Sequence, residues 1–178
     1  MTREIKLFSL FFPILMLGQS RVGEWKSYPS FLNVRETIEV GDLLVSATSG
    51  GILLYDREAL SCETVTNIDG LVETDLSVIA EDGNGHLWLG GAAPNGTVQI
   101  YDLAKRQSVK IFNFDLWEVT AFAVSDSVVC AAYSKDGQWG ILEFVMQNGE
   151  FSYRQIYNPS DESLESINGL VLRGDFLF

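Results

Sequence analysis

Basic side chains, histidine and cysteine are all in short supply in this chain, and each shortage removes a class of function. Twelve Lys and Arg stand against 24 Asp and Glu, a formal net charge of −12. Such a surface repels phosphate backbones and anionic lipid, so no nucleic-acid or membrane-surface partner is expected, and cationic or neutral partners fit better. The one histidine, His86, would have to serve any Ser-His-Asp or Cys-His centre. The two cysteines, Cys62 and Cys130, are too few for a disulfide framework and fall in different repeat units, so they are expected unpaired. After residue 20 no long segment repeats its apolar residues at the helical period. What is present, 47% hydrophobic residues and 12% aromatics over 178 positions, is ample for one packed domain.

The first twenty residues, "MTREIKLFSLFFPILMLGQS", run from basic Arg3 and Lys6 through eleven mostly apolar residues, Leu7 to Leu17, to the small residues Gly18 and Ser20. That layout predicts a secretory signal peptide over residues 1–20; the alternative is a buried N-terminal helix or strand. The apolar run, interrupted by Pro13, is too short to cross a bilayer. No cysteine near the cut suggests lipid attachment. The remaining residues 21–178 carry 10 Lys and Arg against 23 Asp and Glu. They are expected in the periplasm, at the cell surface or outside the cell, with no membrane insertion once the signal is removed.

Short β-branched and aromatic runs recur between Gly, Asn, Asp and Ser clusters, which reads as all β. The runs repeat as a unit. "IEVGDLLVSATSGGILLYD" from Ile38 aligns with "IAEDGNGHLWLGGAAPNGTVQIYD" from Ile79 and "FAVSDSVVCAAYSKDGQWGILEF" from Phe122. "LVLRGDFLF" from Leu170 follows, the starts lying 41, 43 and 48 residues apart. Each copy offers four short strands, the third ending in an aromatic: Tyr55, Tyr101 and Phe144. In the fourth, alternation places Val109 with Ile111, and Phe151 with Tyr153, on a common face. Four antiparallel strands in this period predict the blades of a β-propeller, about 34–67, 76–114, 118–157 and an incomplete 166–178. Residues 24–28 resemble a fourth strand lacking its first three, as a ring-closing strand would. Three and a half blades do not close a ring of the usual four to eight, so the sequence is expected to be the front part of a longer propeller, with further blades in cis. Were it complete, an open sheet edge would favour self-association.

Within the second unit Gly70, Leu71, Ile79, Asp82, Gly85, Leu87, Trp88 and Gly90 fall in a recognisable order. The stretch Thr66 to Gly91 resembles the two-component-regulator propeller repeat, with its Gly-Leu, its strand ending in an acid, its Gly turn and its Leu-Trp-Leu-Gly. "VGEWKSYPS" followed by "TSGGILLYD" is similar to the N-terminal propeller of type IX secretion-associated proteins. In the third unit the match weakens: Ser127 and Val128 stand for Gly and Leu, and Ala131 and Ala132 replace the Trp-Leu-Gly signal. The resemblance implies a non-catalytic propeller at the bacterial envelope. It would be either the sensing part of a hybrid histidine kinase or a secretion-associated scaffold.

"DGNGHLWLGG" is the segment richest in apparent chemistry, and it fails each test. Gly83 and Gly85 lack the third glycine of a dinucleotide loop, and no Gly-Lys-Ser/Thr is present. Asp82, Asn84 and His86 alternate like the start of a calcium loop, but the twelfth position is Ala93 rather than a bidentate Glu. The expected role is a hairpin in which Gly and Asn take positive φ, with Trp88 packing between blades. No cofactor or metal is expected, and no carboxylate pair is singled out, which leaves a propeller hydrolase or lyase as the remaining alternative. The partner, a protein or a carbohydrate or other small molecule, is expected at the propeller faces, with Pro94 and Asn95 of the "GAAPNG" loop and Trp117 of "FDLWEV" as candidate contacts. For Trp117 the competing role is packing between blades. Asn95 also heads a glycosylation sequon, relevant only in a eukaryotic secretory pathway.

Overall fold

The computed structural model describes residues 29–157, 166–173 and 176–178. The expected signal segment 1–20 and closing strand 24–28 lie outside these residues. Three four-stranded antiparallel sheets follow one another along the chain, each in sequential strand order. The first contains β1 (Val34–Val40), β2 (Leu43–Thr48), β3 (Gly51–Asp56) and β4 (Ser61–Val65). The second contains β5 (Leu76–Glu81), β6 (His86–Gly91), β7 (Gly96–Asp102) and β8 (Gln107–Leu116). The third contains β9 (Glu118–Val124), β10 (Val128–Lys135), β11 (Gln138–Gln147) and β12 (Glu150–Tyr157). A short hairpin, β13 (Leu172–Arg173) with β14 (Phe176–Leu177), comes next.

The core lies between the sheets, in two layers. Val45, Ala47, Ile52, Leu54 and Val65 of the first blade meet Leu76, Ile79, Leu87, Leu89 and Tyr101 of the second. The opposite face of the second blade, with Val78, Trp88, Val98 and Ile100, meets Val119, Val129, Leu142, Phe144 and Phe151 of the third. Period-two alternation explains the division, since neighbouring residues of one strand must point to different layers. A sheet buried on both faces needs apolar side chains at odd and even positions alike, and β6 supplies them in the continuous run Leu87-Trp88-Leu89.

One hydrogen bond recurs at every junction. Arg35 Nη1 donates to the carbonyl of Leu76 at 2.8 Å, Ser77 Oγ to that of Val119, and Thr120 Oγ1 to that of Ile167 at 2.7 Å. In each case a polar side chain near the start of a blade's first strand reaches the backbone at the start of the next blade. Between the first two blades the chain makes a single 3-10 turn, Asn67–Asp69. Its Thr66 backbone N–H donates to Asp69 Oδ2 at 2.9 Å, and Gly70 ends it at φ +90° before Leu71 enters the core.

Two sequence expectations need correction. Val109 and Ile111 do share a face, but it is the exposed one, and Phe112 and Phe114 carry the buried side of β8. The register is irregular opposite Ile100 and Tyr101, which pair with Lys110 and Ser108 and leave Val109 over, while exposure still alternates residue by residue along the strand. In the third blade the register sets Val129 opposite Phe144, as Leu87 stands opposite Tyr101. Val129, not Val128, therefore occupies the leucine position, and Cys130-Ala131-Ala132 occupies Trp-Leu-Gly.

Candidate functional site

The opening of β6 is built around one carboxylate. Asp82 is buried, and its Oδ1 accepts from the backbone of Asn84 at 2.8 Å and His86 at 3.1 Å, while its Oδ2 accepts from Trp88 Nε1 at 3.3 Å. His86 Nδ1 lies 3.3 Å from the same Oδ2. The acid closing β5 thus serves the turn and anchors the tryptophan by its only polar atom. Gly85 takes φ +80°, whereas Asn84 has no positive φ and contributes its N–H instead, which corrects the expectation for that residue. His86 opens β6 beside the turn, half-buried. Sequence reasoning gave Asp82 only a motif position; the signal available was an acid four residues before the only histidine and six before a tryptophan.

Trp88 is completely buried between blades, its ring centroid 4.9 Å from Phe151, 5.3 Å from Phe144 and 6.2 Å from Phe122. Gly90, two residues on, is required by close approach: a Cβ there would stand 2.4 Å from Val78 Cγ1 and 2.8 Å from Val119 Cβ. The three aromatics closing the third strands stand opposite Leu44, Leu87 and Val129. Tyr101 and Phe144 face the preceding blade and are buried, and Tyr55 is half-buried. The Tyr101 hydroxyl donates to the carbonyl of Asp69 at 2.7 Å; burial, and then the Asp69 charge, raise its pKa. Asp102 is held below the usual carboxylate range by the side chain and backbone N–H of Lys105.

Cys62 on β4 is exposed and Cys130 on β10 is buried, and both are free thiols. Burial, followed by the nearby Glu143 charge, pushes the Cys130 thiol up to about 11. Cys130 occupies the position of Trp88 in a smaller residue. A groove of about 640 Å³ opens beside it, between the third blade and Leu172 and Leu177 of the following hairpin.

The three candidate contacts come together at one face. Hairpins alternate ends in an antiparallel sheet, so the loops between second and third strands share a face with the connections between blades. Gly96 N donates to the carbonyl of Trp117 at 3.2 Å, which sets the Ala92–Asn95 turn against the β8–β9 connection. Pro94, after a cis peptide bond, and Asn95 are exposed. Trp117 is 55% exposed, so it does not pack between blades, yet its backbone is pinned on both sides because its own N–H donates to Ser134 O at 2.9 Å. Among the described residues no three His, Cys, Asp or Glu side chains converge as metal ligands, and no helix is long and apolar enough to cross a membrane.

Sequential four-stranded antiparallel sheets with their cores between them make this a β-propeller, of which the described residues form three blades and the first hairpin of another. Among solved structures, the chain is similar to the N-terminal domain of Nup159 (TM-score 0.50, 20% identity, covering 72% of this chain and 32% of that one). It is also similar to a chain in the S. cerevisiae structure of Dbp5 bound to Nup159, Gle1, IP6 and ADP (TM-score 0.52, 19% identity, 79% and 36%). A third similar chain belongs to the mitotic checkpoint complex (TM-score 0.54, 13% identity, 88% and 52%). The chain thus spans a third to a half of the solved chains it matches. No family model and no curated protein matches it.

Proposed function

We propose that this chain is a non-catalytic β-propeller module, part of a longer propeller, that binds another protein through the face carrying Pro94, Asn95 and Trp117. The observation that carries this reading is the exposure of Trp117 on a backbone fixed to the neighbouring blade and loop. A large aromatic left uncovered on a fixed backbone offers contact area at a defined place, and such residues dominate interface energetics. Two of the similar solved structures are protein complexes, which supports a protein partner. The layout of residues 1–20 supports export. The likeness of Thr66–Gly91 to the two-component-regulator propeller repeat supports a sensing or scaffolding role at a bacterial envelope.

The test is proximity labelling in the source cell with the tagged full-length protein, followed by pull-down with purified wild type and Trp117→Ala. Loss of the captured protein on Trp117→Ala, with an unchanged melting curve, is the expected result. Capture unaffected by both Trp117→Ala and Asn95→Ala sinks the assignment of this face. Recovery of the tagged protein in the cytoplasm with residues 1–20 still attached sinks export.

A further inference from the structure

We propose that Asn148 is a site of spontaneous covalent modification, at which the side-chain amide is lost by ring closure on Gly149 and replaced by aspartate or isoaspartate. The inference goes beyond the protein-binding reading and does not rest on it. Asparagine followed by glycine is the pair in which this chemistry runs most readily, because a residue with no Cβ lets its backbone nitrogen approach the Asn Cγ. The chain holds four such pairs, Asn84-Gly85, Asn95-Gly96, Asn148-Gly149 and Asn168-Gly169. All four asparagines are exposed, so exposure alone does not choose between them.

What differs is whether the reacting atoms are already engaged. Gly85 N donates to the carbonyl of Asp82 at 3.1 Å, and Gly96 N to that of Trp117 at 3.2 Å. Gly96 is also buried and crowded, since a Cβ there would stand 2.7 Å from Glu118 N. At Asn168 the amide itself is held, because Nδ2 donates to Ser166 Oγ at 3.0 Å, turned back along the chain from Gly169. Asn148 and Gly149 carry none of these restraints among the described residues. They form the two-residue loop between β11 and β12, at φ +53° and +85°, closed by the Gln147–Glu150 pair. Such a loop makes its hydrogen bonds through the flanking residues, which leaves the Gly149 N–H unused. A Cβ on Gly149 would meet nothing within 4 Å, so the ring has room to close.

Gly149 N forms a bond to Asn148 Cγ, the Cγ–Nδ2 bond breaks, and Nδ2 leaves as ammonia with the proton that Gly149 N gave up. Water then adds to one of the two carbonyls of the cyclic imide and breaks its bond to nitrogen, which takes a proton back. Opening at Cγ gives aspartate, and opening at the main-chain carbonyl gives isoaspartate. One water is consumed and one ammonia released, with no oxidant, reductant or enzyme required. Either product sets a new carboxylate two positions from Glu150, whose Oε2 lies 3.7 Å from Lys110 Nζ across the junction of the second and third blades. Isoaspartate also lengthens the loop backbone by a methylene.

The experiment is incubation of the purified full-length protein in mildly alkaline buffer, native and in denaturant, followed over time by peptide mapping that resolves Asn, Asp and isoaspartate at the four positions. In the native protein Asn148 is expected to convert about tenfold faster than the other three, roughly the factor for one hydrogen bond that must break before ring closure. In denaturant glycine follows every site and no fold restrains any of them, so the four rates should draw together. Asn148→Gln, whose longer side chain closes a less favourable ring, should remove the dominant product and leave the other three rates unchanged. Conversion at Asn84, Asn95 or Asn168 as fast as at Asn148 in the native protein overturns the assignment, as does absence of conversion at Asn148. A lead of Asn148 that persists in denaturant also overturns it, because flanking sequence rather than the fold would then set the order.

Discussion

Asp82 shows how a single side chain turns a local sequence into a tertiary anchor. Its carboxylate meets two backbone N–H groups within the turn and the indole of Trp88 two residues into β6, so the hairpin and the inter-blade core are fixed by one residue. Cys130 marks the opposite case, a small side chain at the tryptophan position. With its thiol pushed up to about 11 and its surface buried, only about one molecule in a thousand carries the thiolate at pH 8, and the reagent cannot reach it. Native alkylation at pH 8 should therefore add one label, on Cys62, with a second appearing only in denaturant, as read by intact mass and peptide mapping. Two labels in the native protein would show that the third blade opens.

Packing between the first two strands of a blade is set by paired choices of size. Gly90 stands opposite Val78 in the second blade, and the corresponding pair in the third is Ala132 and Ala121. Where one strand carries a branched side chain the other gives up its Cβ, and where both are alanine the volume is shared. Gly90→Ala should lower stability by about 1–3 kcal/mol through overpacking, measured as a lower urea midpoint at unchanged slope. Adding Val78→Ala should recover part of that loss and not all, because the clash with Val119 remains. Full recovery would mean that Val119 moves freely and that the junction is looser than its geometry indicates.

At the scale of the whole molecule, the repeated bond from each first strand to the next couples one blade to its neighbour. Thr120→Val removes the bond to Ile167 with little change of volume and should cost about 1 kcal/mol. Nearest-neighbour coupling makes the effect local: amide exchange should quicken in the Leu172–Leu177 hairpin and stay unchanged at Val98 and Ile100. A uniform rise in exchange would show that the blades unfold as one unit. Strand identity, the propeller repeat and the turn at Gly85 were legible because they depend on residues close in sequence, through alternation, spacing and the freedom of glycine at positive φ. The exposure of Trp117 and the buried side of β8 were not. Each depends on which neighbouring blade or loop covers a strand's face, and those contacts join residues some forty positions apart. By itself, then, the sequence determined what kind of unit is repeated and where it turns. The tertiary structure decided which side chains are covered, because that follows from how one sheet is seated on the next.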